Sequence, residues 1–154
     1  LRKISKENKV PEIYITGSIN SKKNLSIIDS YKADLLISIL GNQIFKKPLL
    51  NLTSKGCINL HTSFLPKYRG LMPTFWVLKN NEKYTGVSVF FVDEGIDSGP
   101  IIIQERIEIN KLTQQELIKK TKSIGMQLIL KSIDLISKNQ VVLIPNDAAK
   151  KSYE

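Results

Sequence analysis

One cysteine, one histidine and one tryptophan among 154 residues leave little material for several common chemistries. Cys57 has no second thiol with which to close an internal disulfide and sits in an apolar run, which fits a reducing, cytoplasmic setting. A single imidazole, His61, and a single thiol do not supply a metal ligand set, so no metal is expected. No apolar stretch approaches the roughly 20 residues that cross a bilayer, and the basic start over 1–9 is not followed by a secretory hydrophobic core. Glycine-rich phosphate cradles, internal repeats and low-complexity linkers are also missing. These absences describe one soluble globular domain, long enough to bury roughly two thirds of its unfolded surface.

Acidic residues are in short supply: 14 Asp and Glu stand against 23 Lys and Arg, a net charge of +9. Such a balance favours an anionic partner, for example a phosphorylated acceptor or RNA. The lysines are spread, however, with pairs at 22–23, 46–47, 119–120 and 150–151, and no aromatic pattern is interleaved with them. That distribution reads as a solvated surface more than as a nucleic-acid stripe. The chain does not begin with Met, and a helix tail over 1–9 runs directly into Val10-Pro11, so the expectation is a natural start further upstream.

Hydrophobic periodicity supplies the rest of the frame. Residues 12–15 read as a short strand, and Leu25, Ile28 and Tyr31 recur at helical spacing. The run 35–40 is almost continuously apolar and stopped by Gly41-Asn42, as for a strand of a parallel sheet covered on both faces. A short helix over 47–52 and a second buried strand over 57–61 follow, and Pro66, Gly70 and Pro73 then impose a structured loop. Further expectations are a helix over 74–79 and strands over 85–93 and 101–109. Thr113 with Glu116 makes a capping box for a long helix whose apolar face is Leu117, Ile124, Leu128, Ile129, Ile133 and Ile136. Residues 141–144 add a last strand. The alternation is that of an α/β layer structure.

Chemistry concentrates at two strand ends. Residues two apart on a strand point to one side, so the Asn59 carboxamide and the His61 imidazole can converge on one small group, a donor beside a titratable base. Taken alone the pair also fits a strand cap and a satisfied loop histidine. The strand over 85–93 runs into Val92-Asp-Glu-Gly-Ile-Asp-Ser-Gly99, an acidic loop able to bring main-chain groups to a flat heterocycle and to present a carboxylate; alone, it also fits a solvated turn.

The stretch Gly56-Cys-Ile-Asn-Leu-His-Thr-Ser-Phe-Leu-Pro-Lys-Tyr-Arg-Gly70, with Pro73, Trp76 and Thr85-Gly86-Val87, resembles the signature of the formyltransferases that use 10-formyltetrahydrofolate. Asp93-Glu-Gly-Ile-Asp-Ser-Gly99 and Ile103-Gln104 fall where that family has its second motif, and weaker similarity runs from about Ile13 to Ile144. The resemblance implies a Rossmann-like, mostly parallel sheet with flanking helices, and a catalytic group formed by Asn59, His61 and Asp97. It also implies a folate site from Leu40, Gly41 and Ile44 and from Val92, Asp93, Gly95 and Ile96. The family places a strand, a helix and a second strand ahead of what is Leu1 here, so 1–154 is expected to be a single catalytic domain truncated at its start. Thr62 and Phe64 depart from the commoner proline and leucine without removing a catalytic group.

The activity so implied is formyl transfer from 10-formyltetrahydrofolate to an amine, with methionyl-tRNA as the first acceptor in view; Tyr68-Arg69-Gly70 is more similar to the methionyl-tRNA and amino-sugar branches, while Gly99-Pro100 through Gln104 also resembles the purine-biosynthetic one. Amino-sugar nucleotides and glycinamide ribonucleotide are the alternatives, and no protein partner is implied. A catalytically silent folate- or RNA-binding module is the non-enzymatic alternative. Phe75 and Trp76 read as helical neighbours packed in the core rather than as a stacking platform.

Overall fold

Four strands pair in the order in which the chain makes them. In the computed structural model, which describes residues 2–147, β1 (Leu36–Ile39), β2 (Cys57–His61), β3 (Tyr84–Phe91) and β4 (Ile101–Glu108) form one sheet. The expectations for Leu1 and for the lysine pair at 150–151 lie outside the described residues. Helices α1 (Arg2–Glu7), α2 (Lys22–Asp29), α3 (Lys47–Leu50), α4 (Pro73–Lys79) and α5 (Gln114–Ser137) complete the α/β frame. No helix among the described residues is long and apolar enough to cross a membrane.

The sheet is mixed, which corrects the expected mostly parallel pairing while leaving the α/β class intact. β1 and β2 run parallel, with Leu36 opposite Cys57, because the chain crosses over between them through α3. β3 lies antiparallel to both neighbours, with His61 opposite Ser88 and Ser88 opposite Gln104. Its reversed direction follows from the connections: loop and α4 bring the chain back to the carboxyl end of β2, where β3 starts, and the short segment 92–100 then turns straight back into β4.

One face of this sheet is covered by α5, whose first turn is closed by the expected capping box. Thr113 Oγ1 accepts from the Glu116 amide, and the Glu116 carboxylate accepts from the Thr113 amide at 2.8 Å. Leu128, Ile129 and Ile136 are buried against Ile58, Leu60, Val87, Val89 and Ile107, with Ile124 and Ile133 beside them. The helix comes so close to β2 that a Cβ added at Gly125 would lie 2.7 Å from Leu60 Cδ2, which explains the glycine inside a helix where it costs about 1 kcal/mol relative to alanine. Leu117 instead joins Tyr68, Val77 and Ile109 in a second cluster.

Three expectations about strands change. Residues 12–15 join no ladder, and Ile13 and Tyr14 are exposed. The run 141–144 is reduced to one antiparallel bridge between Ile144 and Ile101, with Val142 and Leu143 exposed. β1 is not covered on both faces: Ile37 and Ile39 are 42% and 43% exposed, since among the described residues β1 pairs only with β2 and no helix packs extensively on it. Tyr31 falls beyond the end of α2.

Candidate active site

β2 ends in Asn59-Leu60-His61, and the pleat turns Leu60 into the α5 core while Asn59 and His61 face the opposite side. There they border a hollow of about 780 Å³, within the usual range for small-molecule sites. Asp97, from the loop after β3, borders the same hollow, as do Leu40, Gly41 and Ile44 from the turn after β1. Val92, Asp93, Gly95 and Ile96 supply a further wall, so the residues assigned from the sequence to the catalytic group and the folate site all border one hollow. A second hollow of about 900 Å³ beside Phe64, Tyr84 and Arg106 contains none of them.

His61 is 6% exposed, and both its ring nitrogens face acceptors. Nε2 donates to the Tyr68 carbonyl at 2.7 Å, which fixes the ring plane and places the other nitrogen towards Asp97. Nδ1 lies 3.5 Å from Asp97 Oδ2, longer than a settled hydrogen bond and within the looser geometry catalytic pairs show without substrate. The same Oδ2 accepts from the Gly70 amide at 2.8 Å. Asn59 Oδ1 is buried and has no hydrogen-bond partner. A buried carboxamide end without a partner is costly unless something entering the hollow pairs with it. Half a turn about χ2 exchanges that oxygen for the NH₂, so the same position can accept from an amine or donate to an oxyanion.

The loop that carries Tyr68 is fastened from beneath. Ser88 Oγ donates to the Ser63 carbonyl at 2.7 Å and receives the Leu65 amide at 3.1 Å, while Gln104 Nε2 donates to the Leu65 carbonyl at 2.8 Å. Ser63 Oγ donates to the Lys67 carbonyl at 2.7 Å. Leu40, Tyr68, Met72 and Asp97 all hold positive φ angles between 46° and 60°. Non-glycine residues persist there only when their surroundings over-determine them, which happens most often at binding sites. Gly99 is a glycine for another reason: a Cβ there would lie 1.7 Å from the Phe91 carbonyl oxygen.

The turn over 40–46 is tied to the segment before α2. Gln43 Oε1 accepts from the Ile19 amide at 2.8 Å, Asn20 Nδ2 donates to the Ile44 carbonyl at 2.8 Å, and buried Asn24 donates to the Thr16 and Ser18 carbonyls. Nothing local in the sequence marks Asn20, Asn24 and Gln43, whose partners lie in other segments, or Leu71 and Met72, which border the hollow together with the loop glycine Gly70. Asp93 turns its carboxylate into its own loop, accepting from the Gly95 amide and the Ser98 hydroxyl. Trp76 packs at the edge of the second cluster, whereas Phe75 is 38% exposed and meets it edge to face at 5.2 Å, so only Trp76 keeps the expected core role.

Burial pushes the Cys57 thiol up to about 11, which makes it a poor nucleophile at neutral pH. Among the described residues no three His, Cys, Asp or Glu side chains gather as a metal site would require.

A four-stranded mixed sheet with flanking helices is a fold this chain shares with solved formyltransferases. The model of that family, described as formyl transferase, matches residues 4–133, and the chain belongs to it. The chain is 34% identical to the methionyl-tRNA formyltransferase of Kosmotoga olearia over 99% of its own length and 49% of that protein. It is 39% identical to that of Alkaliphilus oremlandii over 82% of its own length and 41% of that protein. It thus spans about half the length, or less, of the curated relatives it matches. Two solved structures are also similar. An N-formyltransferase from Helicobacter canadensis, in complex with folinic acid and dTDP-3-aminofucose, has a TM-score of 0.77 at 26% identity, over all of this chain and 53% of that one. The phosphoribosylglycinamide formyltransferase of Bacillus halodurans has a TM-score of 0.78 at 27% identity, over 89% and 75%.

Proposed function

We propose that this chain carries the catalytic centre of an enzyme that moves a formyl group from 10-formyltetrahydrofolate to an amine, with methionyl-tRNA as the first acceptor to test. The observation that carries the reading is the convergence of Asn59, His61 and Asp97 on one hollow, with the buried Oδ1 of Asn59 left without a partner. The hollow suits the donor: Leu40, Ile44, Val92 and Ile96 offer an apolar slot for a flat ring, edged by the backbone of two turns. The donor supplies an electrophilic formyl carbon. Asn59, with its NH₂ turned inward, donates to the formyl oxygen as negative charge grows on it, a contribution of about 3–4 kcal/mol in the transition state. Asp97 and His61 take up the proton that the attacking amine gives up and pass it to the donor nitrogen as its bond to the formyl carbon breaks, releasing tetrahydrofolate, and Tyr68 keeps the imidazole in place for it.

Methionyl-tRNA leads among acceptors because the 34% and 39% identical relatives are methionyl-tRNA formyltransferases. The amino-sugar nucleotide and glycinamide ribonucleotide acceptors rest on solved structures at 26% and 27% identity. The net charge of +9 suits any of these phosphorylated acceptors. A cytoplasmic setting belongs to the same reading, supported by the lone buried thiol. A silent binding module is disfavoured, since it would have no use for a histidine and an aspartate held 3.5 Å apart beside a carboxamide without a partner.

The test mixes the protein at its natural full length with 10-formyltetrahydrofolate and a panel of amines, following release of tetrahydrofolate. Release that requires one of the amines supports the reading. Folate binding without release under any acceptor would return the chain to the class of binding modules.

A further inference from the structure

Arg69 is the largest fully buried side chain, 2% exposed, and among the described residues its guanidinium donates only to Asn146, to the main-chain oxygen at 3.2 Å and to Oδ1 at 2.6 Å. Burying a guanidinium is costly, and Nε is left without a partner, so a contact with one neutral residue calls for an explanation beyond stability. The geometry of Asn146 provides it. A guanidinium can only donate, so it draws the carboxamide oxygen to itself and turns the NH₂ the other way. That NH₂ donates to the carbonyls of Asp97 and Gly99, both at 2.9 Å. Asp97 therefore has its backbone gripped by Asn146 and its carboxylate gripped by the amide of Gly70, the residue next to Arg69. The bridge between Ile144 and Ile101 delivers Asn146 to this spot.

We infer that Arg69 and Asn146 are positioning residues that hold Asp97 opposite His61 by clasping the loop after β3 to the loop after β2. Asp97 has φ +46°, a conformation that relaxes once external restraints are removed. With the clasp open, Oδ2 swings away from Nδ1 and from the Gly70 amide. The inference deepens the proposed reaction and rests on it for its catalytic consequence, whereas the restraint itself is readable without catalysis.

Two variants test it, Asn146→Ala and Asn146→Asp. The second keeps the shape of the side chain and an acceptor for Arg69, and so protects the fold, but donates nothing to the loop. In both, hydrogen exchange of the Gly70 amide should rise by about tenfold or more while the amides of β2, β3 and β4 keep their protection. Turnover should fall by about ten- to a hundredfold with KM for the folate donor within about twofold, the signature of a misplaced group rather than a lost binding contact. Wild-type turnover and Gly70 protection in well-folded Asn146→Asp overturn the inference. So does a loss of protection spread evenly across the sheet, which would make Asn146 a general structural residue. If the wild-type protein transfers no formyl group, the proposed reaction fails while Gly70 exchange still decides whether the clasp exists.

Discussion

Asp97 offers one carboxylate oxygen to both the Gly70 amide and the His61 ring, so a change of charge there is separable from a change of shape. Asp97→Asn keeps the size and part of the hydrogen bonding while removing the group that accepts a proton. Turnover is expected to fall on the order of a hundredfold, with folate affinity changed far less, and the loss should be non-additive with that of His61→Ala, as for groups acting as a unit. Turnover under saturating substrates and thermal melting of both single variants and the double variant decide it; near-normal rates in well-folded Asp97→Asn would remove Asp97 from the mechanism. Cys57 gives a prediction of stability instead. Burial raises its folded pKa to about 11, so the stability linked to the neutral thiol is fully present below about pH 9 and is lost as pH rises towards 11. Denaturant unfolding of wild type and Cys57→Ala across that window should show the excess alkaline loss only in the wild type. Strand alternation makes Asn59 and His61 legible as a pair on one side of a strand, whereas Asp97, in a loop, was joined to them only by the resemblance of its segment to the family's second motif. Arg69 and Asn146 could not be picked out, since they stand 77 residues apart and no period connects them.

At the scale of elements, α5 was the most legible part of the fold. Its apolar positions repeat at helical spacing over 24 residues, and its cap is written in two side chains three apart. Thr113→Ala should therefore cost about 1 kcal/mol and lower Tm by about 2–4 °C, read by calorimetry; an unchanged Tm would show the cap to be dispensable. Short apolar runs carried less information. Residues 12–15 and 141–144 have the composition of strands, but composition does not specify a partner, and the first found none while the second found one bridge. Nor does an apolar run such as 35–40 say whether something covers it; Ile37 and Ile39 stay half exposed. Strand direction was equally hidden, because whether β3 enters the sheet parallel or antiparallel depends on the path of the 62–72 loop, which Ser88 and Gln104 hold from other elements.

For the molecule as a whole, the hollow beside His61 makes a prediction about ligand linkage. A reduced folate or a stable analogue that binds only the folded form should raise Tm progressively with concentration, by about 2.7 kcal/mol of stabilisation at a hundred times Kd. Unchanged melting and unchanged Trp76 fluorescence at saturation would overturn the folate assignment. The clasp on Asp97 also sets an order of events in time. Synthesis runs from the amino end, and the sheet and α5 are complete at Ser137, before Asn146 exists. A nascent chain can thus bury its core while the loop after β3 still lacks the hydrogen bonds from Asn146 to the Asp97 and Gly99 carbonyls. The core and the restraint on Asp97 therefore draw on different stretches of sequence, the second waiting on one asparagine that follows α5.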